Sequence, residues 1–169
     1  MKMPQSLNLV GALISMTASL CAQPTTLPSL PPESRQFDFW IGEWAVTTPD
    51  GKPAGTNRIE AIAGGAGLLE NWADADGSSG KSLNAYNATK KQWQQTWVGS
   101  NGGILELSGT LVNGHMVLTG EHAARGRRVM ERITWTPNPD GTVRQHWEQS
   151  TDGGNTWQTA FDGHYRKKK

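Results

Sequence analysis

The chain predicts an all-β protein, an up-and-down antiparallel barrel of roughly ten strands. Three observations lead there. Turn signals recur at short intervals: Asp50-Gly51, Gly64-Gly65, Asp76-Gly77, Asn101-Gly102-Gly103, Asn113-Gly114, Arg125-Gly126, Asp140-Gly141 and Asp152-Gly153-Gly154, with Thr89-Lys90 as a weaker one. Asn-Gly and Asp-Gly supply the positive-φ residues that tight hairpins need. Between the turns, side chains alternate at period two, which puts each set on one side of a strand. No window sustains a helical period. Hairpin-linked strands close most simply into a barrel, which removes exposed edges.

The faces follow in order. Trp40, Gly42, Trp44 and Val46 share the first; Gly42 lets the chain bend and Trp44 plugs the closed end. Next come Leu68, Glu70 and Trp72, then Ser82, Asn84 and Tyr86, then Trp93, Gln95 and Trp97. Leu105, Leu107, Gly109 and Leu111 form another face, followed by Met116 and Leu118, then Val129, Ile133 and Trp135. Val143, Gln145 and Trp147 precede a last set of Trp157, Phe161 and Tyr165.

Ahead of the barrel, residues 1–22 read as a secretory signal peptide. Lys2 gives a positive start, Leu7 to Leu20 is mostly apolar, and Cys21-Ala22 offers small residues before Gln23. The stretch is too short to span a membrane and runs into prolines. The expected location is therefore the periplasm or the exterior, with ordinary cleavage after Ala22. A lipid anchor on Cys21 is the lesser alternative, because Leu20 stands where that processing wants a small residue. Residues 23–36 are a stiff Pro-rich linker, carrying Pro24, Pro28, Pro31 and Pro32. Order should begin near Phe37, the barrel should run over 37–166, and 167–169 should be a solvated basic tail.

The 169 residues fit one domain. Lys+Arg total 16 against 15 Asp+Glu, so the basic excess of a nucleic-acid protein is absent. Eight Trp is several times the usual share, and Trp mostly serves packing or ligand stacking.

Phe37-Asp38-Phe39-Trp40-Ile41-Gly42-Glu43-Trp44 resembles the opening motif of a family of secreted bacterial proteins, the domain-of-unknown-function 1579 family. Ser82 to Asn87, Trp93 to Val98, and Gln145 to Ser150 running on to Trp157 match in the same order. The resemblance implies a calycin-type barrel of the lipocalin and fatty-acid-binding kind, and it brings no catalytic residues. It also implies a basic residue near the last strand packing over the Gly-x-Trp indole as a structural cation–π contact, for which Arg166 is the candidate.

The chemistry-bearing residues are few. Ser150 to Trp157 fits an Asp-box, a hairpin device in which Asp152 caps turn amides and Trp157 packs under the loop; sialidases need several such boxes. A binding site is predicted from the aromatic–amide rows. Glu70, Trp72, Asn84, Tyr86, Trp93, Gln95, Trp97, Gln145 and Trp147 share inward parity. Flat aromatic walls with a few fixed polar groups suit a small, partly aromatic or polar ligand. A packed, ligand-free barrel acting on an envelope partner through an apolar patch on its outer face is an alternative. An enzyme is another, a cyclase or isomerase using Glu70 as a buried acid. Glu106 and Glu148 fit solvated outer faces. His115, His122, His146 and His164 lie at no metal-ligand spacing. His164 is the only candidate to hold haem in a nitrobindin-like barrel, and its parity turns it to solvent. No cofactor, metal or nucleic-acid partner is predicted.

Overall fold

Pairing every strand with its sequence neighbours leaves two edges, and the first and last strands close on each other. The computed structural model describes residues 29–124 and 126–168. The predicted signal peptide, the Cys21 anchor and the first linker prolines lie outside the described residues. The strands are β1 (Gly42–Thr47), β2 (Pro53–Ile62), β3 (Gly67–Asp74), β4 (Ser79–Asn87) and β5 (Gln92–Gly99). They continue with β6 (Ile104–Val112), β7 (His115–Ala124), β8 (Arg127–Pro137), β9 (Val143–Ser150) and β10 (Gln158–Lys167). All ten pair antiparallel in one closed barrel, β1 joining β10. This is the up-and-down architecture that the turn spacing predicts. Among the described residues no helix is long and apolar enough to cross a membrane.

The segment before β1 builds the closed end. Short 3₁₀ turns at Pro32–Arg35 and Asp38–Trp40 carry the chain under the barrel. Ser34 is already buried there, so the ordered fold starts earlier than Phe37. Phe37 stacks on Trp40 with centroids 5.0 Å apart, and meets Trp93 and Trp135 edge-on at 5.5 and 5.1 Å. Such edge-to-face pairs add to what area burial provides. Trp44 lies above this plug, fully buried, donating its indole N–H to the Trp40 carbonyl at 2.9 Å. Gly42 sits at φ 143°, in the region that favours glycine.

Register corrects two expectations. Trp44 pairs with Lys167, and Ala45 with Arg166. Lys167 therefore shares the face of Trp44, with its ammonium 5.4 Å from the ring centroid, and Arg166 projects from the other side. The cation over the Gly-x-Trp indole is Lys167, and the barrel's last strand extends into what reads as tail. We expect Lys167→Ala to cost about 0.5–1 kcal/mol, and Arg166→Ala to change stability by less than about 0.5 kcal/mol. Chemical denaturation of both variants checks the order.

The second correction is at β10. Thr159 pairs with Glu148, yet Phe161 pairs with Trp147, across a register shift. One extra residue reverses parity. Phe161 and Tyr165 point inward, while Trp157 lies on the outer side beneath the Arg132 guanidinium, 4.1 Å from its centroid.

Candidate functional site

The cavity occupies the half of the barrel away from the aromatic plug. Its volume is about 310 Å³, and its mouth lies between the β3–β4 and β5–β6 turns, where Ser78 and Asn101 contribute. That is space for on the order of ten waters, at the lower end of the range for small-molecule sites.

Register explains the floor. Glu70 on β3 pairs with Ser82 on β4, and Ser82 with Trp97 on β5. One row nearer the plug, Leu68 pairs with Asn84, and Asn84 with Gln95. Period-two alternation thus stacks polar side chains side by side inside the wall. Gly80 is placed so that Trp97 can lean across it; a Cβ there would sit 2.0 Å from the indole. A side chain at position 80 would push that ring out of the wall.

The polar groups form one continuous network. Ser82 Oγ donates to Glu70 Oε2 at 2.6 Å, and Asn57 Nδ2 donates to Glu70 Oε1 at 2.7 Å. Ser82 in turn accepts from Asn84 Nδ2 at 2.8 Å. Gln95 Nε2 donates to Asn84 Oδ1 at 2.8 Å. Asn57 Nδ2 also reaches the Tyr165 hydroxyl at 3.3 Å, which donates to Gln145 Oε1 at 2.5 Å. Glu70 is only 4% exposed, and no salt-bridge partner faces it among the described residues. Burial pushes its carboxyl up to about 7, against the lowering effect of the Ser82 and Asn57 hydrogen bonds. Burial first, and the Glu70 charge second, hold the Tyr165 phenol well above its ordinary value.

Of the nine residues that the sequence nominated, Glu70, Trp72, Gln95, Trp97, Gln145 and Trp147 line the cavity. The other three stand elsewhere. Trp93 belongs to the plug against Phe37, and Tyr86 packs edge-on against Trp93 at 6.2 Å. Asn84 is fully buried behind Gln95. Parity places all nine inside the barrel, but depth along each strand separates cavity from plug. Phe161 and Tyr165 complete the aromatic walls, Phe161 meeting Trp72 edge-on at 5.8 Å.

One buried acid escaped the sequence reading. Glu131 on β8 is 1% exposed. Its Oε2 accepts the Trp147 indole N–H at 2.5 Å, and its Oε1 accepts from Gln149 Nε2 at 3.0 Å. His122 Nε2 lies 2.8 Å from the same Oε1. Glu131 thereby fixes the Trp147 ring that forms one cavity wall. The signal was present, because Glu131 falls between Val129 and Ile133 on the inward face.

The remaining candidates act outside the cavity. Asp152 Oδ1 accepts from Thr156 N at 2.9 Å and from Ser150 Oγ at 2.8 Å, while Trp157 donates to the Gly154 carbonyl at 3.1 Å. The Thr156 hydroxyl, which donates to Asp152 Oδ2 at 2.6 Å, then the Thr156 backbone N–H and the Ser150 hydroxyl, hold the Asp152 carboxyl at about 2. The box is a hairpin clasp. His164 pairs with Arg144 on the outer face, its side chain half exposed beside Asp162, and cannot reach a group held in the barrel. Among the described residues no cluster of His, Cys, Asp and Glu gathers that could hold a metal ion. Comparison with protein-family models and with curated proteins finds no match for the chain.

Proposed function

We propose that this barrel is a non-catalytic binding module for a small, partly aromatic or polar molecule, working in the periplasm or outside the cell after removal of a signal peptide. The observation that carries the reading is the cavity itself. Trp72, Trp97, Trp147 and Phe161 line it together with the buried Glu70. A barrel acting only through its outer face has no need of such a space. Buried amides and a buried acid are costly unless satisfied; here they bond to one another, and of the buried side-chain atoms in this network Asn57 Oδ1 alone has no hydrogen-bond partner.

Native mass spectrometry of the mature protein, purified gently from its source, tests this together with an absorbance scan. The expected result is a retained small molecule whose mass disappears in the Gln95→Leu/Gln145→Leu variant. A clean protein mass in the parent, with no change in Trp emission on adding extracts, would count against the reading. A second reading has one observation in its favour. Glu70, held at about 7, has the proton affinity of a general acid or base working near neutrality. Turnover of the retained molecule, abolished in Glu70→Gln, would convert the binding barrel into a barrel isomerase or cyclase.

A further inference from the structure

We propose that the cavity selects an organic cation, a protonated amine carrying an aromatic or apolar body, with Glu70 as its counter-ion and the tryptophans that line the space as its cage. This inference rests on the reading of the barrel as a binding module and names the class of molecule it takes.

Charge complementarity carries the argument. Among the described residues, Glu70 and Asp74 line the cavity, and no Lys, Arg or His does. Arginines of β2, β8 and β9 are engaged in ion pairs with acids other than Glu70: Arg58 with Glu60, Arg132 with Glu148, and Arg144 with Asp162. His122 of β7, its side chain two-fifths exposed, is bonded to Glu131 and does not line the cavity. Glu70 is therefore a buried acid without a cationic partner. A carboxylate offers about four acceptor positions, and Ser82 and Asn57 occupy two of them. The free positions are available to an N–H donor entering from the mouth, past Asp74.

The walls fit the same ligand. Trp72, Trp97 and Trp147 line the space with Phe161 and Tyr165, and the negative face of an aromatic ring attracts a cation, most strongly when water is excluded. A neutral ligand would leave the Glu70 carboxylate without a counter-ion. An anionic one would meet two carboxylates and no positive group. Asn57 and Ser82 bond Glu70 directly, and Gln95, Gln145 and Tyr165 line the same cavity with Asp74 nearer the mouth; none is a cation. As Glu70 takes up its proton near neutrality, amine affinity should weaken roughly tenfold between pH 8 and pH 6.

The test is a titration of the full mature protein at pH 8, followed by calorimetry and Trp emission. Phenethylamine, its neutral counterpart 2-phenylethanol and the anion phenylacetate are the probes. Phenethylamine should bind at least about tenfold tighter than 2-phenylethanol, with phenylacetate weakest. In Glu70→Gln, checked for folding by its thermal transition, the amine and the alcohol should fall within about twofold of each other. If the alcohol or the acid binds as well as the amine, the cation assignment fails and the binding reading stands. An amine preference that survives Glu70→Gln removes Glu70 as counter-ion and also overturns the proposal. If none of the three binds, both readings fall.

Discussion

Trp44→Ala will cost about 4–5 kcal/mol, enough to remove a large share of the roughly 5–15 kcal/mol by which such a domain is stable. The indole is fully buried between the plug and the barrel wall. It touches Tyr165 edge-on at 6.1 Å, and its N–H is the donor to the Trp40 carbonyl. Truncation leaves a cavity that the closed strands around it cannot collapse to fill. It also strips a buried acceptor of its donor, itself worth about 1–3 kcal/mol. Trp44→Phe should fall between, near 1–3 kcal/mol, because it keeps most of the packing and loses only the hydrogen bond. Denaturant unfolding monitored by near-ultraviolet circular dichroism measures both. A loss below about 1 kcal/mol in Trp44→Ala would mean that the Phe37–Trp40 plug closes the barrel without it.

The barrel was legible because its two signals are local. A hairpin turn is written in adjacent residues, such as Asn113-Gly114 with φ 50° and 83°. Strand faces are written at spacing two. What is not local was lost. The Thr159–Phe161 bulge inserts one residue into β10, and no composition marks it, so period two alone groups Trp157 with Phe161. Period two puts Trp40 on the first strand's face, whereas it ends a 3₁₀ turn beneath the barrel. The period-two reading still gave it the correct burial, because the turn delivers it to the same core. Lys167 and Arg166 differ by one position, and only the pairing of β1 with β10 decides which lies over the indole.

The site was legible in parity and illegible in depth. The row Trp93, Gln95, Trp97 faces inward throughout, yet Trp93 meets Phe37 at the plug and Trp97 meets the cavity. A single strand crosses both zones, and the sequence carries no marker of where one gives way to the other. Glu131 was missed for a different reason. A charge in an apolar row reads as a break in the pattern until its partners are known. Trp147, Gln149 and His122 come from the strands on either side. Asn57 likewise belongs to Glu70 through a contact thirteen residues apart in the chain.

Glu70→Gln will raise stability at pH 8 by about 1–3 kcal/mol and leave it nearly unchanged at pH 4. The carboxyl titrates at about 7 in the fold, against 4.5 ordinarily. Between those values the folded chain holds a proton that the unfolded chain has released. The stability tied to that proton is fully present below pH 4.5 and is lost as pH rises through about 7. The whole window is worth roughly 3 kcal/mol. Glutamine imitates the protonated carboxyl in size and cannot ionise, so it escapes the loss. Part of the gain is returned, because its amide must share Ser82 Oγ with Asn84 and Gln95. Thermal melts of both proteins from pH 4 to pH 8 should therefore start together and diverge by several degrees. If the variant is instead less stable at pH 8, the bonds from Ser82 and Asn57 outweigh the desolvation, and Glu70 is an ionised structural acceptor. The expected divergence has the other meaning. A residue that weakens its own fold at neutral pH, where an amide of the same size would not, makes sense through what its carboxylate meets in the cavity.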